Sequence, residues 1–108
     1  MESAEKLVNL LIEKKLHITT AESCTGGRVA SRIVDVANAS KLFNVAYVTY
    51  ANEAKEKYLK VDSKTIEKYG VVSEEVTKQM ALGALKEANA DISIVTSGIA
   101  GPTGGTEY

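Results

Sequence analysis

Residues 21–27 read AESCTGG, a short turn rich in hydroxyl groups and glycine. The turn follows a β-branched run at residues 18–20 and precedes an amphipathic run at residues 28–36. A strand that ends in such a turn and continues into a helix places small side chains and main-chain N–H groups at the amino end of that helix. This end of a helix can hold an anion or a developing oxyanion. The turn is therefore the centre of a candidate site in an α/β fold.

A second loop of the same kind lies near the other end of the chain. Residues 97–105 read SGIAGPTGG and follow another strand-like run at residues 91–96. Two polar glycine loops at the ends of strands predict one shared pocket.

The spacing of apolar residues predicts the other elements. Asn52 and Ser73 are expected to cap helices, and Gly70 is expected to end one. Helices are indicated at residues 2–15, 26–36, 52–59, 63–69 and 74–89, strands at 17–20, 43–50 and 91–96, and a loop at 38–40. The alternation predicts a single α/β domain over residues 1–108.

Composition excludes several classes of protein. The 108 residues are enough for one small domain, and a net charge of -1 favours neither nucleic acid nor a membrane surface as a partner. The apolar runs are far shorter than the roughly 18 residues that a membrane span needs. The single cysteine, Cys24, excludes an internal disulfide and favours a reducing, cytoplasmic setting. Since Cys, His and Asp residues do not cluster at metal-ligand spacing, we expect neither a metal nor another cofactor.

Four stretches together resemble the CinA C-terminal domain family, whose stand-alone members are nicotinamide mononucleotide deamidases of the PncC type. These are the two loops above, VTYANEAK at residues 48–55 and YGVVS at residues 69–73, and they occur in the family's order. The resemblance covers essentially the whole chain and implies a three-layer α/β/α domain with a mixed sheet. The family domain continues past position 108, so we expect its C-terminal strands and closing helix to be missing here.

The resemblance also implies a reaction and a set of site residues. The reaction is hydrolysis of the carboxamide of nicotinamide mononucleotide, which gives nicotinic acid mononucleotide and ammonia. The family's nucleophilic serine falls on Ser23, its lysine on Lys55 and its tyrosine on Tyr50. The residues expected to bind the substrate are Thr25, Gly26, Gly27, Ser97, Gly101, Thr103 and Gly104.

Amide hydrolysis needs a nucleophile, a base and a group that stabilises the oxyanion. The only histidine, His17, precedes a strand, which disfavours a histidine triad and leaves a Ser–Lys pair as the alternative. To act as a base at neutral pH, a lysine must have its pKa lowered by about 3 from roughly 10.4, which corresponds to about 4 kcal/mol. Burial or a nearby cation would supply this. Tyr50 is placed to relay a proton or to hold Lys55 by a hydrogen bond.

Each of these residues also has a purely structural interpretation. Without the resemblance, Ser23 is a helix cap, Lys55 a solvated surface charge and Tyr50 a half-buried strand residue. Thr25 either caps the helix or binds phosphate, and the sequence does not separate the two. Glu22 is expected to be structural or hydrogen-bonded near the site.

Three functions follow. The first is an amidohydrolase of pyridine nucleotide salvage that acts on a small nucleotide. The second is a nucleotide-binding module without catalysis, and the third is an inactive fragment that is stable only when it self-associates. For the 108 residues alone we expect a homo-oligomer with weak deamidase activity, because missing strands would leave a sheet edge and apolar surface open.

Overall fold

A computed structural model of the chain describes residues 2–98. In chain order the elements are α1 (Glu2–Lys14), β1 (Ile18–Glu22), α2 (Arg28–Val34), a short 3-10 helix (Ala39–Lys41), β2 (Phe43–Val48), α3 (Asn52–Leu59), α4 (Ser63–Tyr69), α5 (Glu74–Ala88) and β3 (Ile92–Val95). The predicted α/β class is confirmed. Three residues predicted to bind substrate, Gly101, Thr103 and Gly104, lie outside the described residues.

The strands form one sheet in the order β2-β1-β3, and both pairings are parallel. Within residues 2–98 the sheet is thus parallel throughout, whereas the resemblance implied a mixed sheet. The central strand β1 is buried along its whole length, as expected for a parallel strand covered on both faces.

Apolar clusters lie on both faces of the sheet, so the predicted three-layer arrangement is confirmed. Ile18 and Ala21 of β1 belong to different clusters because successive side chains of a strand point to opposite faces. The cluster beneath α1 and α2 contains Val8, Leu11, Ile18, Ile33, Ala39 and Leu42. The cluster beneath α3 and α5 contains Ala21, Leu59, Val61, Val76, Met80 and Ala84.

The strand order creates a crevice beside β1. The chain leaves β1 for β2 through α2, and it later passes back to the far side of β1 through α5 before entering β3. Because parallel crossovers are right-handed, these opposite movements put α2 and α5 on opposite faces. The carboxyl ends of β1 and β3 meet where the strand order reverses, which is where open α/β sheets bind ligands.

The turn after β1 differs from the sequence prediction at both ends. Strand β1 continues through Glu22, which was assigned to the turn, and α2 begins at Arg28 rather than at residue 26. Gly26 and Gly27 have φ values of 58° and 100°, which no right-handed helix contains. The two glycines therefore form the turn itself, and the helix starts after them.

Local capping signals were predicted with mixed success. Ser73 caps α5 as predicted, because its hydroxyl accepts a hydrogen bond from the Val76 N–H, and Gly70 ends α4. The prediction for Asn52 was wrong: Asn52 is the first helical residue of α3, and Ala51 stands at the cap position without a side-chain hydrogen bond. The predicted loop at residues 38–40 overlaps the short 3-10 helix Ala39–Lys41.

Helices α3 and α5 touch through a glycine. A Cβ atom added to Gly83 would overlap the main-chain carbonyl of Leu59 at the end of α3. Only glycine permits this close approach, and the contact fixes the position of α3, which carries Lys55.

Candidate active site

Ser23 and Lys55 meet in a cavity at the carboxyl end of the sheet. Ser23 is the first residue after β1, and Lys55 lies in the first half of α3. The cavity has a volume of about 220 Å³ and is lined by Ser23, Tyr50, Asn52, Lys55, Val71, Val72, Ser97 and Gly98. The structure therefore brings together four residues that the sequence analysis assigned to the site, namely Ser23, Tyr50, Lys55 and Ser97.

The ammonium group of Lys55 is enclosed by oxygen atoms. The residue is only 1% exposed. Its Nζ donates hydrogen bonds to the Thr49 carbonyl at 2.7 Å, to Ser23 Oγ at 3.1 Å and to the Tyr50 carbonyl at 3.2 Å. Since none of these partners is a carboxylate, the buried cation has no ion-pair partner among the described residues to offset its lost hydration.

This environment favours the neutral amine. Burial lowers the pKa of Lys55 below its ordinary value, and the electrostatic effect of nearby Cys24 opposes this only in part. A neutral amine has two N–H donors and one lone pair. The carbonyls of Thr49 and Tyr50 accept from the two donors, so the lone pair is left for the hydroxyl proton of Ser23. The arrangement can remove a proton from Ser23 and can hold the resulting ammonium.

Glu22 lies beneath the Ser23 turn and is fully buried. Its Oε1 accepts hydrogen bonds from the Thr25 hydroxyl at 2.6 Å and from the Val29 N–H at 2.8 Å, and its Oε2 accepts from the Ala30 N–H at 2.9 Å. Burial raises the pKa of this carboxyl, but these hydrogen bonds outweigh it and hold the pKa below its usual value. The chain's own carboxylate thus occupies the amino end of α2, where the sequence predicted an anion site.

The residues after the nucleophile have structural contacts. Thr25 Oγ1 bonds both Glu22 and, at 2.7 Å, Thr96 Oγ1 at the end of β3. Gly26 and Gly27 form the left-handed turn. Neither Thr25 nor the two glycines line the Ser23 cavity, so the structure does not bring these three predicted substrate-binding residues to it.

Tyr50 takes part differently from the prediction. The residue lines the cavity and is 68% exposed, and its main-chain carbonyl, not its phenol group, accepts the hydrogen bond from Lys55. The predicted contact between Tyr50 and Lys55 is therefore present, but it is made by a different atom.

Several contributors were missed by the sequence analysis. Val71 and Val72 lie within the recognised YGVVS stretch, and that stretch was the available signal for them. Thr49 acts through a main-chain carbonyl, which every residue has, so its side-chain type gave no signal. Thr96 was assigned only to a strand, yet its hydroxyl accepts from the Ser23 N–H at 3.4 Å.

Residues 2–98 contain neither a group of side chains suited to a metal ion nor a helix suited to span a membrane. No three His, Cys, Asp or Glu side chains there lie close enough together to hold a metal ion. No helix in this part of the chain has the length and apolar character needed to cross a membrane.

Comparison with known proteins identifies the family. The CinA C-terminal domain matches residues 1–108. The chain belongs to the CinA C-terminal domain family. Similar curated proteins include a CinA-like protein of Chlorobaculum tepidum, 55% identical over 102 residues, which are 94% of this chain and 24% of the relative. A CinA-like protein of Kosmotoga olearia is 55% identical over 106 residues, 97% of this chain and 26% of the relative. This CinA-family chain thus spans about a quarter of the length of these relatives.

Solved structures of the same superfamily share this fold. A competence/damage inducible protein CihA from Agrobacterium tumefaciens aligns with a TM-score of 0.94 at 38% identity, covering 97% of this chain and 64% of that one. A CinA superfamily protein from Escherichia coli aligns with a TM-score of 0.90 at 42% identity, covering 94% of this chain and 59% of that one. The CinA-family chain therefore has the superfamily's α/β fold.

Proposed function

We propose that this chain carries the Ser–Lys site of an amidohydrolase that converts nicotinamide mononucleotide to nicotinic acid mononucleotide and ammonia. The observation that carries the proposal is the buried Lys55, whose Nζ lies 3.1 Å from Ser23 Oγ and has no carboxylate partner among the described residues. A lysine in this setting is a base for an adjacent serine. The substrate comes from the family resemblance.

The first half of the reaction forms an ester with Ser23. Ser23 Oγ attacks the carboxamide carbon while its proton passes to Lys55 Nζ, and the carbonyls of Thr49 and Tyr50 hold the new ammonium. The N–H group of Cys24, the residue directly after the nucleophile, has no acceptor among the described residues, so it is a candidate to stabilise the oxyanion. Lys55 then returns the proton to the departing nitrogen, the C–N bond breaks and ammonia leaves.

The second half releases the acid. Water attacks the ester carbon while Lys55 Nζ takes a proton from it, and the Ser23–carbon bond breaks as Ser23 Oγ regains a proton from Lys55. The products are a carboxylic acid and the free serine, so the two halves together consume one water and release one ammonia. Lys55 ends in the neutral form in which it began.

The cavity walls fit different parts of the nucleotide. Val71 and Val72 supply an apolar wall, and the largely exposed Tyr50 also lines the cavity, so that these residues suit a pyridine ring. Because Glu22 occupies the amino end of α2, we place the phosphate towards Ser97 and Gly98, which line the cavity. Thr25, Gly26 and Gly27 then support the turn without touching the phosphate.

The test is ammonia release from nicotinamide mononucleotide by the intact protein, with the nucleotide product analysed in parallel. We expect stoichiometric nicotinic acid mononucleotide and ammonia, an unchanged rate with a chelator, and no release by Ser23→Ala. Ser31→Ala, an exposed serine on α2, is the matched control and should retain the wild-type rate. Binding of the nucleotide without ammonia release would support a silent binding module instead.

We also propose that the 108-residue chain self-associates and works in a reducing, cytoplasmic setting. Strand β2 has one strand neighbour among the described residues, and its Val45 and Val48 are 36% and 51% exposed. Open edges and apolar surface favour association. Sedimentation of the purified chain at micromolar concentration should show a dimer or larger species, and a monomer would contradict this.

A further inference from the structure

We propose that Glu22 and Thr96, acting through Thr25, are positioning residues for the nucleophile. An ionised Glu22 determines which atoms donate in a series of hydrogen bonds that runs through Thr25 and Thr96 to the Ser23 N–H. This series of hydrogen bonds holds Ser23 opposite Lys55. The inference rests on the proposed function, because it assigns these residues a part in the same reaction. None of the three lines the cavity.

The direction of every proton in this chain follows from the charge of Glu22. A carboxylate only accepts, so the Thr25 hydroxyl must donate to Glu22 Oε1 at 2.6 Å. Because the single hydroxyl proton of Thr25 is used in that hydrogen bond, Thr25 Oγ1 must accept from the Thr96 hydroxyl at 2.7 Å. Thr96 Oγ1 in turn is left with lone pairs, and one of them receives the Ser23 N–H at 3.4 Å.

These hydrogen bonds take the place of a main-chain hydrogen bond that is missing between β1 and β3. The last main-chain hydrogen bond between β1 and β3 runs from the Thr96 N–H to the Ala21 carbonyl at 3.0 Å. The next main-chain N–H directed towards β3 is that of Ser23, just past the end of β1, and its acceptor is a side-chain oxygen instead of a carbonyl. Ser23 can therefore leave the strand geometry while remaining tied to β3, and its main-chain position depends on which way the Thr96 hydroxyl points.

Two consequences for the reaction follow. The Ser23 N–H already donates to Thr96 Oγ1, which leaves the N–H of Cys24 for an oxyanion. Glu22 is not among the atoms that contact Lys55 Nζ, so it acts on the geometry of the nucleophile and leaves the base itself unchanged. Removing this series of hydrogen bonds should therefore lower kcat, whereas KM and the midpoint of the pH–rate profile should not change.

The test compares Thr96→Val, which removes the hydroxyl at constant shape, with Thr96→Ser, which keeps it, in the intact protein. We expect Thr96→Val to lower kcat between about 2- and 13-fold, the equivalent of one neutral hydrogen bond, with KM and the pH midpoint unchanged. Thr96→Ser should restore most of the rate. Thr77→Val, which removes a hydroxyl from α5 away from the cavity, is the control and should keep the wild-type kcat.

A second readout does not depend on activity. Amide hydrogen exchange at Ser23 should be slow in the wild type and in Thr96→Ser and faster in Thr96→Val, with global stability measured in parallel. An unchanged kcat in Thr96→Val, or equal exchange at Ser23 in Thr96→Val and wild type, overturns the inference. If the wild type releases no ammonia but the exchange rates differ as expected, the hydrogen-bond chain stands and only the proposed function fails.

Discussion

Lys55 Nζ lies 3.1 Å from Ser23 Oγ although the two residues are 32 positions apart in the chain. Ser23 lies just after β1 and Lys55 lies in α3, and the chain passes through α2 and β2 between them. The fold thus encloses a lysine amine beside a serine hydroxyl and supplies only neutral oxygen atoms as its other partners. Since this pairing puts an unpaired base against a nucleophile, its charge state should govern the activity.

The pH dependence of the reaction should report Lys55. Only the neutral amine can accept the Ser23 proton, so kcat/KM should rise with pH through the pKa of Lys55 in the free enzyme. Burial lowers that pKa, and the midpoint should therefore fall below about 10.4, the value of a free lysine. The rate of ammonia release, followed from neutral pH up to the pKa of a free lysine at about 10.4, measures this. A flat profile over the range would contradict the assignment of Lys55 as the base.

Glu22 should make the stability of the fold depend on pH in the acid range. Its folded pKa lies below the unfolded value of about 4.3, so its contribution is present above that value and is lost as the pH falls through the folded pKa. Glu22→Gln should lower the free energy of unfolding at neutral pH by roughly 1.5–3 kcal/mol, because hydrogen bonds to a charged acceptor are lost. The difference between wild type and variant should shrink as the pH is lowered.

Urea denaturation of both proteins at neutral and acid pH measures this difference. Glu75→Gln, at the exposed start of α5, is the matched control and should show little change. A constant difference between wild type and Glu22→Gln at every pH would show that the carboxylate charge of Glu22 is not what stabilises the turn.

Replacing Gly83 by alanine should destabilise the protein, although the same change stabilises most helices. An alanine in place of a helical glycine usually stabilises a protein by up to about 1 kcal/mol. Here the new Cβ would overlap the Leu59 carbonyl, so Gly83→Ala should instead destabilise the fold by about 1–3 kcal/mol and displace α3. Thermal unfolding gives the sign directly. A rise in Tm would mean that α3 and α5 are not in close contact at this point.

Local signals were sufficient for some elements and insufficient for others. The sequence predicted α4 at Ser63–Tyr69 and the Ser73 cap correctly, because a polar cap and a terminal glycine lie within a few residues of the helix they delimit. It placed the start of α2 too early, because the left-handed conformation of Gly26 and Gly27 depends on how the turn leaves β1. Asn52 is a residue type that often caps helices, but α3 begins at Asn52 itself and Ala51 stands at the cap position.

The candidate site was predictable to a similar degree. The resemblance pointed to Ser23, Lys55 and Ser97, which the structure brings to one cavity. It did not reveal that main-chain carbonyls hold Lys55, since a carbonyl is the same in every residue type. Nor did it show that Glu22 occupies the amino end of α2, because that contact depends on the three-dimensional path of the turn.

The measurement that tests the central claim most directly is the rate of ammonia release by Ser23→Ala, Lys55→Met and the double variant of the intact protein. If the two residues act as one unit, each single variant should lose about as much as the double variant, by a factor of roughly 10³ or more. Lys57→Met, an exposed lysine on the same helix, is the control and should retain the wild-type rate. A Lys55→Met variant that keeps most of the wild-type rate would contradict the Ser–Lys account.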